Sequence, residues 1–258
     1  REMSASTTHR TILLTNDDGI DAPGLAALER LLEGLGRLVV VAPDREQSGA
    51  SHALTLGRPL RVLPRGDGRF QVDGTPADCV HLGVFNLTGG RPPDLVVSGI
   101  NRGANLGDDV TYSGTVAGAL EGTLLHIPSI AVSAEIDDKG SARFDVAAAL
   151  ARSLAERVLA GGLPANVFLN VNVPRGAARG VRVTRQGTRT YKAAAIERLD
   201  PSGRPYYWIG GADMIPAGEE DGDHEALRQG YVSISPLHAN MTHAASLAEI
   251  AAWKVELP

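Results

Sequence analysis

Short apolar runs alternate along the chain with stretches whose apolar residues recur at helical spacing, and that rhythm predicts an α/β fold. Ile12-Leu13-Leu14, Leu38–Val41 and Asp94–Ser98 lack the in-out alternation of half-exposed strands, and Ser129–Ser133 and Val167–Val173 read as a fourth and a fifth strand. They are the runs expected of parallel strands covered on both faces. Between them, Ala22–Leu32 sets Leu25, Leu28, Leu31 and Leu32 on one helical face, with Pro23 suited to its first turn and Asp21 to its N-cap. Gly34 and Gly36 would end that helix. Further helices are predicted from Thr75 to about Phe85, over Gly114–Leu125 with Val116, Leu120 and Leu124 on one stripe, and over Phe144–Leu159. Ala117, Gly118 and Gly122 are small enough to let the third of these lie close to a sheet. Leu54–Leu63 and Arg69–Val72 add short strands around the turn Gly66-Asp67-Gly68. The order strand-helix-strand repeated along the chain implies a doubly wound, mostly parallel, Rossmann-like sheet with right-handed crossovers.

Past Pro174 the texture changes. Val181–Thr190 and Pro205–Ile209, the latter after the turn residues Asp200-Pro201-Ser202-Gly203, read as a long C-terminal hairpin. Ala193-Ala194-Ala195 has no evident partner, and Ala212–Gln229 is irregular and acidic. Tyr231–Ile234 is a further strand, and Ala244–Trp253 a closing amphipathic helix. A projecting hairpin bearing Tyr206, Tyr207 and Trp208 calls for a second subunit as cover. The expected division is a loose tail or remnant over 1–10, a Rossmann-like catalytic core over 11–175, and a hairpin and oligomerisation region over 176–258.

Composition narrows the classes without choosing among them. At 258 residues, 43% hydrophobic and 21% charged, the chain suits one large α/β domain with an appendage. A net charge of −5, with no block of Lys or Arg interleaved with aromatics, argues against duplex nucleic acid and anionic membranes as partners. No apolar run approaches the roughly 18–20 residues of a membrane span, and the polar start does not resemble a secretory signal. Cys79 is the single cysteine, so an intrachain disulfide is impossible and a reducing, cytoplasmic setting is expected.

Candidate chemistry gathers in the loops that leave strand ends. Asn16-Asp17-Asp18-Gly19 sets two adjacent carboxylates at the carboxyl edge of the sheet, where open α/β folds bind ligands. Their repulsion needs a positive charge, yet no Lys or Arg follows until Arg30. A hard divalent cation, Mg²⁺ or Mn²⁺, answers that need, and helix capping by Asp18 or Asp21 is the plainer alternative. Two further loops contribute Ser48, Ser51, Asn101, Asn105, Asp108 and Asp109, which together with Asn16, Asp17 and Asp18 form a set of hard oxygen ligands. The Asp108-Asp109 pair reads either as a pair orienting Asn101 or Asn105 or, more simply, as a solvated turn. Thr111-Tyr112-Ser113-Gly114-Thr115 opens a helix, and its N–H groups, hydroxyls and bare Gly114 suit an anion, although Ser and Thr begin many helices only as caps. Zinc is poorly served, since His52, His81 and His126 are scattered and read as structural. No GxSxG, GxxxxGK[ST] or GxGxxG motif follows a strand.

ILLTNDDGIDAPGL, VVAPDREQSGASHALTL, GTPADCVHLGV and DLVVSGINRGANLGDDVTYSGTVAGALEG together resemble the SurE (survival protein E) family, and the likeness continues through LNVNVP, GVRVTRQGTR, YYWIGG and GYVSISPLH. It spans nearly all of Thr11–His238. The resemblance implies a metal-dependent 5′(3′)-nucleotidase acting on nucleoside monophosphates, some members also taking short polyphosphate. It implies one divalent metal ion held by Asp17, Asp18, Ser48 and Asn101, with Asp17 and Asp18 as the catalytic pair. Asn16, Asn105, Ser113, Gly114 and Thr115 fall where phosphate would be held, and subunits would pair through hairpin and closing helix as a homodimer or homotetramer. Departures from the family pattern fall at Asp223-His224 and Ala239-Asn240-Met241, where an acidic residue is common at position 240. Hydrolysis by a metal-activated water, attack by an aspartyl nucleophile, and a sensing module without turnover are the readings to be separated.

Overall fold

The computed structural model describes residues 10–190, 195–209, 215–217 and 219–255. The expected tail over 1–10 falls almost wholly outside the described residues, as do Ala193 and Ala194. The chain runs β1 (Thr11–Thr15), α1 (Pro23–Leu32), β2 (Arg37–Pro43), β3 (Val62–Pro64), β4 (Arg69–Val72), α2 (Pro76–Leu82), β5 (Leu95–Arg102), α3 (Gly114–Leu124), β6 (Ser129–Ala134), α4 (Phe144–Gly161) and β7 (Val167–Val173). There follow β8 (Val181–Val183), β9 (Thr188–Thr190), β10 (Ala195–Leu199), β11 (Pro205–Ile209), β12 (Ile215–Ala217), α5 (Asp223–Arg228), β13 (Val232–His238) and α6 (Leu247–Ala251).

Among the described residues nine strands make one sheet in the order β3-β4-β2-β1-β5-β6-β7-β13-β8. From β4 to β7 all neighbours are parallel, while β3 and β13 join antiparallel. The winding reverses between β1 and β5: one crossover from β1 leads to β2 on one side, and later strands build outward from β5 on the other. That switch point opens a crevice at the carboxyl ends of β1 and β5. Leu25, Leu28 and Leu32 of α1 pack with Ala147, Ala151 and Ala155 of α4 over one face. Cys79 and Val80 of α2, and Val116 and Ala119 of α3, cover the other. Burial holds the thiol of Cys79 in its protonated form by pushing its pKa well up.

Local chemistry explains most of these elements, and corrects some expectations. The start of α2 is a capping box: Thr75 Oγ1 accepts from the Asp78 N–H at 3.1 Å and Asp78 Oδ2 accepts from the Thr75 N–H at 2.9 Å. Helix α1 instead begins after Ala22 without a side-chain cap, and Asp21 pairs with Arg65 rather than capping. The α3 stripe Val116-Leu120-Leu124 is buried only at its start: Val116 and Leu120 pack in the core, while Leu124 is 47% exposed. The small residues face inward: a Cβ on Gly118 would lie 2.7 Å from Ser98 Oγ, and one on Gly122 2.4 Å from Ser129 Oγ. In the stretch 54–63 only the last two residues enter a strand, as the start of β3.

The C-terminal expectations change most. Pro205–Ile209 pairs with Ala195–Leu199, not with Val181–Thr190, so Ala195 has a partner in Ile209. The stretch read as one strand over 181–190 divides, β8 running parallel to β13 in the main sheet and β9 antiparallel to β12. The segment 212–229, expected to be irregular, contains β12 and α5. Tyr231–Ile234 is the start of a longer strand, β13. No helix among the described residues is long and apolar enough to cross a membrane.

Helix α1 crosses β5 so closely that a Cβ on Gly24 would stand 2.1 Å from the Ile100 carbonyl oxygen. Backbone cannot yield as a flexible side chain can, so Gly24→Ala is expected to cost about 3 kcal/mol in unfolding free energy. Denaturant titration checks this, and a loss under about 0.5 kcal/mol would show that α1 rides over β5 without needing the contact.

Candidate active site

Strand β1 delivers its acidic tip into the switch-point crevice through a tight turn. Asn16 Nδ2 donates to the Gly19 carbonyl at 2.9 Å, and Gly19 adopts φ +101°, a backbone region that a side chain resists. The loop after β2 lies against the same turn, where the Gln47 N–H donates to the Asp17 carbonyl at 2.7 Å and the Ile20 N–H to the Pro43 carbonyl at 2.9 Å. Asp17 is 4% exposed. Its Oδ1 accepts from the Thr115 hydroxyl, and the Thr115 N–H also faces the carboxylate. The first turn of α3 touches it directly: a Cβ on Gly114 would lie 2.7 Å from Asp17 Cβ and 3.0 Å from Oδ2. The absent side chain of Gly114 thus makes room for Asp17, a use the sequence did not disclose.

Electrostatics follow from this packing. Burial raises Asp17 from 3.8 to about 6, against the lowering effect of the Thr115 hydrogen bond and with a further rise from Asp18. Asp18 is also raised, first by burial, although the Arg102 N–H donates to its Oδ2 at 3.3 Å. Glu46, whose negative charge adds to the rise in Asp18, belongs to the same surroundings. Neither aspartate forms an ion pair with any described residue.

The β5 edge brings Asn101 to the crevice. Its register against β6 shifts between Gly99 and Asn101, and Asn101 Nδ2 donates to the Gly103 carbonyl at 2.8 Å, which leaves Oδ1 as the acceptor end. Ser51 ties the second loop to the third, its N–H donating to the Tyr112 carbonyl at 3.1 Å and its hydroxyl to the Thr111 carbonyl at 2.6 Å.

Comparison with known proteins adds to this picture. Residues 12–193 match the family model described as Survival protein SurE. The chain is 51% identical to "5'-nucleotidase SurE" of Syntrophotalea carbinolica, over 95% of this chain and 97% of that protein. It belongs to the SurE family. The namesake of Pelobacter propionicus is 52% identical over 94% of this chain and 98% of its own. The crystal structure of the SurE protein from Aquifex aeolicus superposes with a TM-score of 0.83 at 44% identity, covering 95% of this chain and all of that one.

Of the residues singled out on the SurE resemblance, the fold brings Asp17, Gly114 and Thr115 into contact, and sets Asp18 beside Arg102, the neighbour of Asn101. Ser48 is exposed, and its hydroxyl donates to Glu46 Oε1 at 2.7 Å rather than to either aspartate. Ser113 caps α3, its Oγ accepting from the Val116 N–H at 3.1 Å. Asn105 is turned into the protein, with Nδ2 donating to Ser133 Oγ and its N–H to Asn172 Oδ1, both at 2.8 Å. Two of the histidines are satisfied by one carboxylate: His52 Nε2 and His81 Nδ1 lie 2.8 and 3.1 Å from the oxygens of Glu121. Gln47, Glu46 and Arg102 were missed. The first and last act through backbone N–H groups, which any residue carries, and Glu46 acts through proximity alone.

Among the described residues no three His, Cys, Asp or Glu side chains form a metal cluster. A cation here must therefore combine two carboxylates with amide or hydroxyl oxygens and water, the donor set of a hard ion. Asn16 Oδ1, buried without a hydrogen-bond partner, fits that need.

A carboxyl whose folded pKa is raised to about 6 stabilises the fold when protonated, and that contribution is lost as pH rises through 6. In EDTA, Asp17→Asn should thus be about 3 kcal/mol more stable than wild type near pH 7.5, an advantage that vanishes below about pH 4. Thermal melts across that range test it, and a variant no more stable than wild type at the upper pH would contradict the burial assigned to Asp17.

Proposed function

We propose that the chain is a metal-dependent phosphomonoesterase that hydrolyses nucleoside 5′- or 3′-monophosphates to nucleoside and phosphate. The observation that carries this reading is Asp17, buried without a counter-cation on the first turn of α3, with Asp18 beside it at the switch point. Two hard carboxylates next to a helix N-terminus place a cation site and an anion site side by side, the pairing that phosphoryl transfer requires. The printed names of relatives about half identical over nearly the whole chain point the same way.

In this reading Asp17, Asp18 and Asn101 hold one Mg²⁺ or Mn²⁺, with Ser48 joining once its hydroxyl leaves Glu46. When bound, the ion neutralises phosphoryl charge and lowers the pKa of a water ligand. Thr115 fixes the direction of Asp17 Oδ1 through its hydroxyl. The positive end of α3 at Ser113-Gly114-Thr115 draws the phosphate, bordered by Asn105 and by the amide NH₂ of Asn16, whose Oδ1 is left for the cation. Because the site works by placing charges, loss of one ligand should cost turnover much more than stability. Asp17 is braced by Thr115 and shielded by Gly114, an arrangement suited to holding an ion rather than attacking phosphorus. Water is therefore favoured over an aspartyl nucleophile.

The hairpin β10–β11 leaves Tyr207, Trp208 and Ile209 exposed at 58, 66 and 95%, and α6 leaves Leu247 and Ile250 exposed. These faces suit burial against further copies of the chain, as a dimer or tetramer.

Phosphate release from adenosine 5′-monophosphate should require added Mg²⁺ or Mn²⁺, stop in EDTA, and fall at least about 100-fold in Asp18→Asn while the melt stays cooperative. Nucleotide binding without phosphate release would favour a sensing module instead. Sedimentation of Trp208→Glu should show a smaller assembly than wild type, and an unchanged one would remove the hairpin from the interface.

A further inference from the structure

Asp223 lies outside the ligand set, yet it is the most enclosed carboxylate near the crevice, at 0% exposed. It opens α5, in the C-terminal part of the chain. Its oxygens accept three backbone N–H groups: Gly107 at 2.8 Å on Oδ2, with Gly187 at 3.1 Å and His224 at 2.8 Å on Oδ1. A side chain on Gly187 would put its Cβ 2.8 Å from Oδ1, so that glycine is what lets the carboxylate approach. The carbonyl of the same Gly107 accepts from Gln186 Nε2 at 3.0 Å. Both backbone polar groups of one loop residue are thus gripped from a segment about 80 to 116 positions away.

Gly107 sits at a pivot of the third loop. Two residues before it, Asn105 is anchored to β7, its carbonyl accepting from Asn170 Nδ2 at 2.9 Å and Asn172 Nδ2 at 3.0 Å. After it, the turn 107–111 leads to Ser113, and so to the Gly114-Thr115 turn against Asp17. Gly107 itself has φ +52°, a conformation that glycine adopts freely and other residues resist. Charge-assisted hydrogen bonds from buried N–H groups to a carboxylate are among the stronger restraints available to a loop.

We infer that Asp223, seconded by Gln186, is a positioning residue of the site: it holds the loop 103–113 so that Asn105 and the first turn of α3 stand in register with the Asp17-Asp18 tip. The inference rests on the phosphatase reading for its consequence, though the clamp is geometric. It makes the C-terminal region part of the site's support as well as of its surface.

The experiment uses the full chain loaded with Mn²⁺. Asp223→Asn replaces one accepting oxygen by an NH₂ that meets an N–H, and Gln186→Ala removes only the bond to the Gly107 carbonyl. Hydrogen exchange over 103–113, binding of inorganic phosphate by calorimetry, and kcat and KM for adenosine 5′-monophosphate are measured well below each melting temperature. Asp223→Asn should speed exchange in that loop and raise the phosphate Kd and KM together about tenfold, with Gln186→Ala moving both about threefold and kcat changing less than KM. If Asp223→Asn does not fold, Gln186→Ala decides. Unchanged phosphate affinity and KM in the folded variants would overturn the inference, leaving Asp223 a purely structural residue. A wild type that releases no phosphate would overturn the phosphatase reading instead, and the clamp would still be judged by exchange and phosphate affinity.

Discussion

A carboxylate buried against a helix terminus, with no ion pair to any described side chain, is the constraint around which this protein is arranged. Asp17 lies at the end of a fully buried strand, and the first turn of α3 closes over it. Placing a charge there is unfavourable without compensation, which is why its pKa rises to about 6. The Thr115 hydrogen bonds at the positive end of α3, together with a backbone hydrogen bond at Asp17, offset part of that cost.

Close packing is what brings α3 near enough. Gly114 meets Asp17, Gly118 meets Ser98 and Gly122 meets Ser129, spaced so that one side of the helix has no side chains to hold it off the sheet. Helix α1 does the same on the other face at Gly24. A parallel sheet with helices this close carries its strand ends rigidly, and the loops that leave those ends inherit fixed origins. Hydrogen bonds then finish the work, Gln47 and Ser51 binding the second loop, Asn105 and Gly107 the third.

That division also separates what holds the fold from what performs the chemistry. The groups proposed to touch substrate or metal sit at the ends of β1, β2 and β5, in the loops that leave them, and on the first turn of α3. The groups that orient them come from α3, from the inner asparagines of β7 and from α5. Much of the supporting polar network is itself buried, Asn170 and Asn172 being 0% exposed, so its members are committed to one another rather than to solvent.

Sequence alone determined a good deal. Apolar-rich runs located β1, β2, β5, β6 and β7, because strands buried on both faces are mostly apolar and admit only polar groups that find partners, and the acidic tip after β1 marked the crevice. Small residues in α3 announced its nearness to the sheet. The long motifs shared with the SurE family reached further than periodicity could. Tertiary structure decided the rest. Short strands such as β8 and β9 carry no pattern that names a partner, so the pairing of Pro205–Ile209 with Ala195–Leu199 could only be seen folded. Gly114, read as room for a phosphate, also makes room for Asp17, and Ser113, read as a phosphate contact, also caps α3. Asp223 stood in a stretch taken for irregular, yet it grips a loop more than 100 residues earlier. A pattern along the chain reports which face a residue must bury, whereas which two distant groups meet is set by packing, and packing exists only in three dimensions.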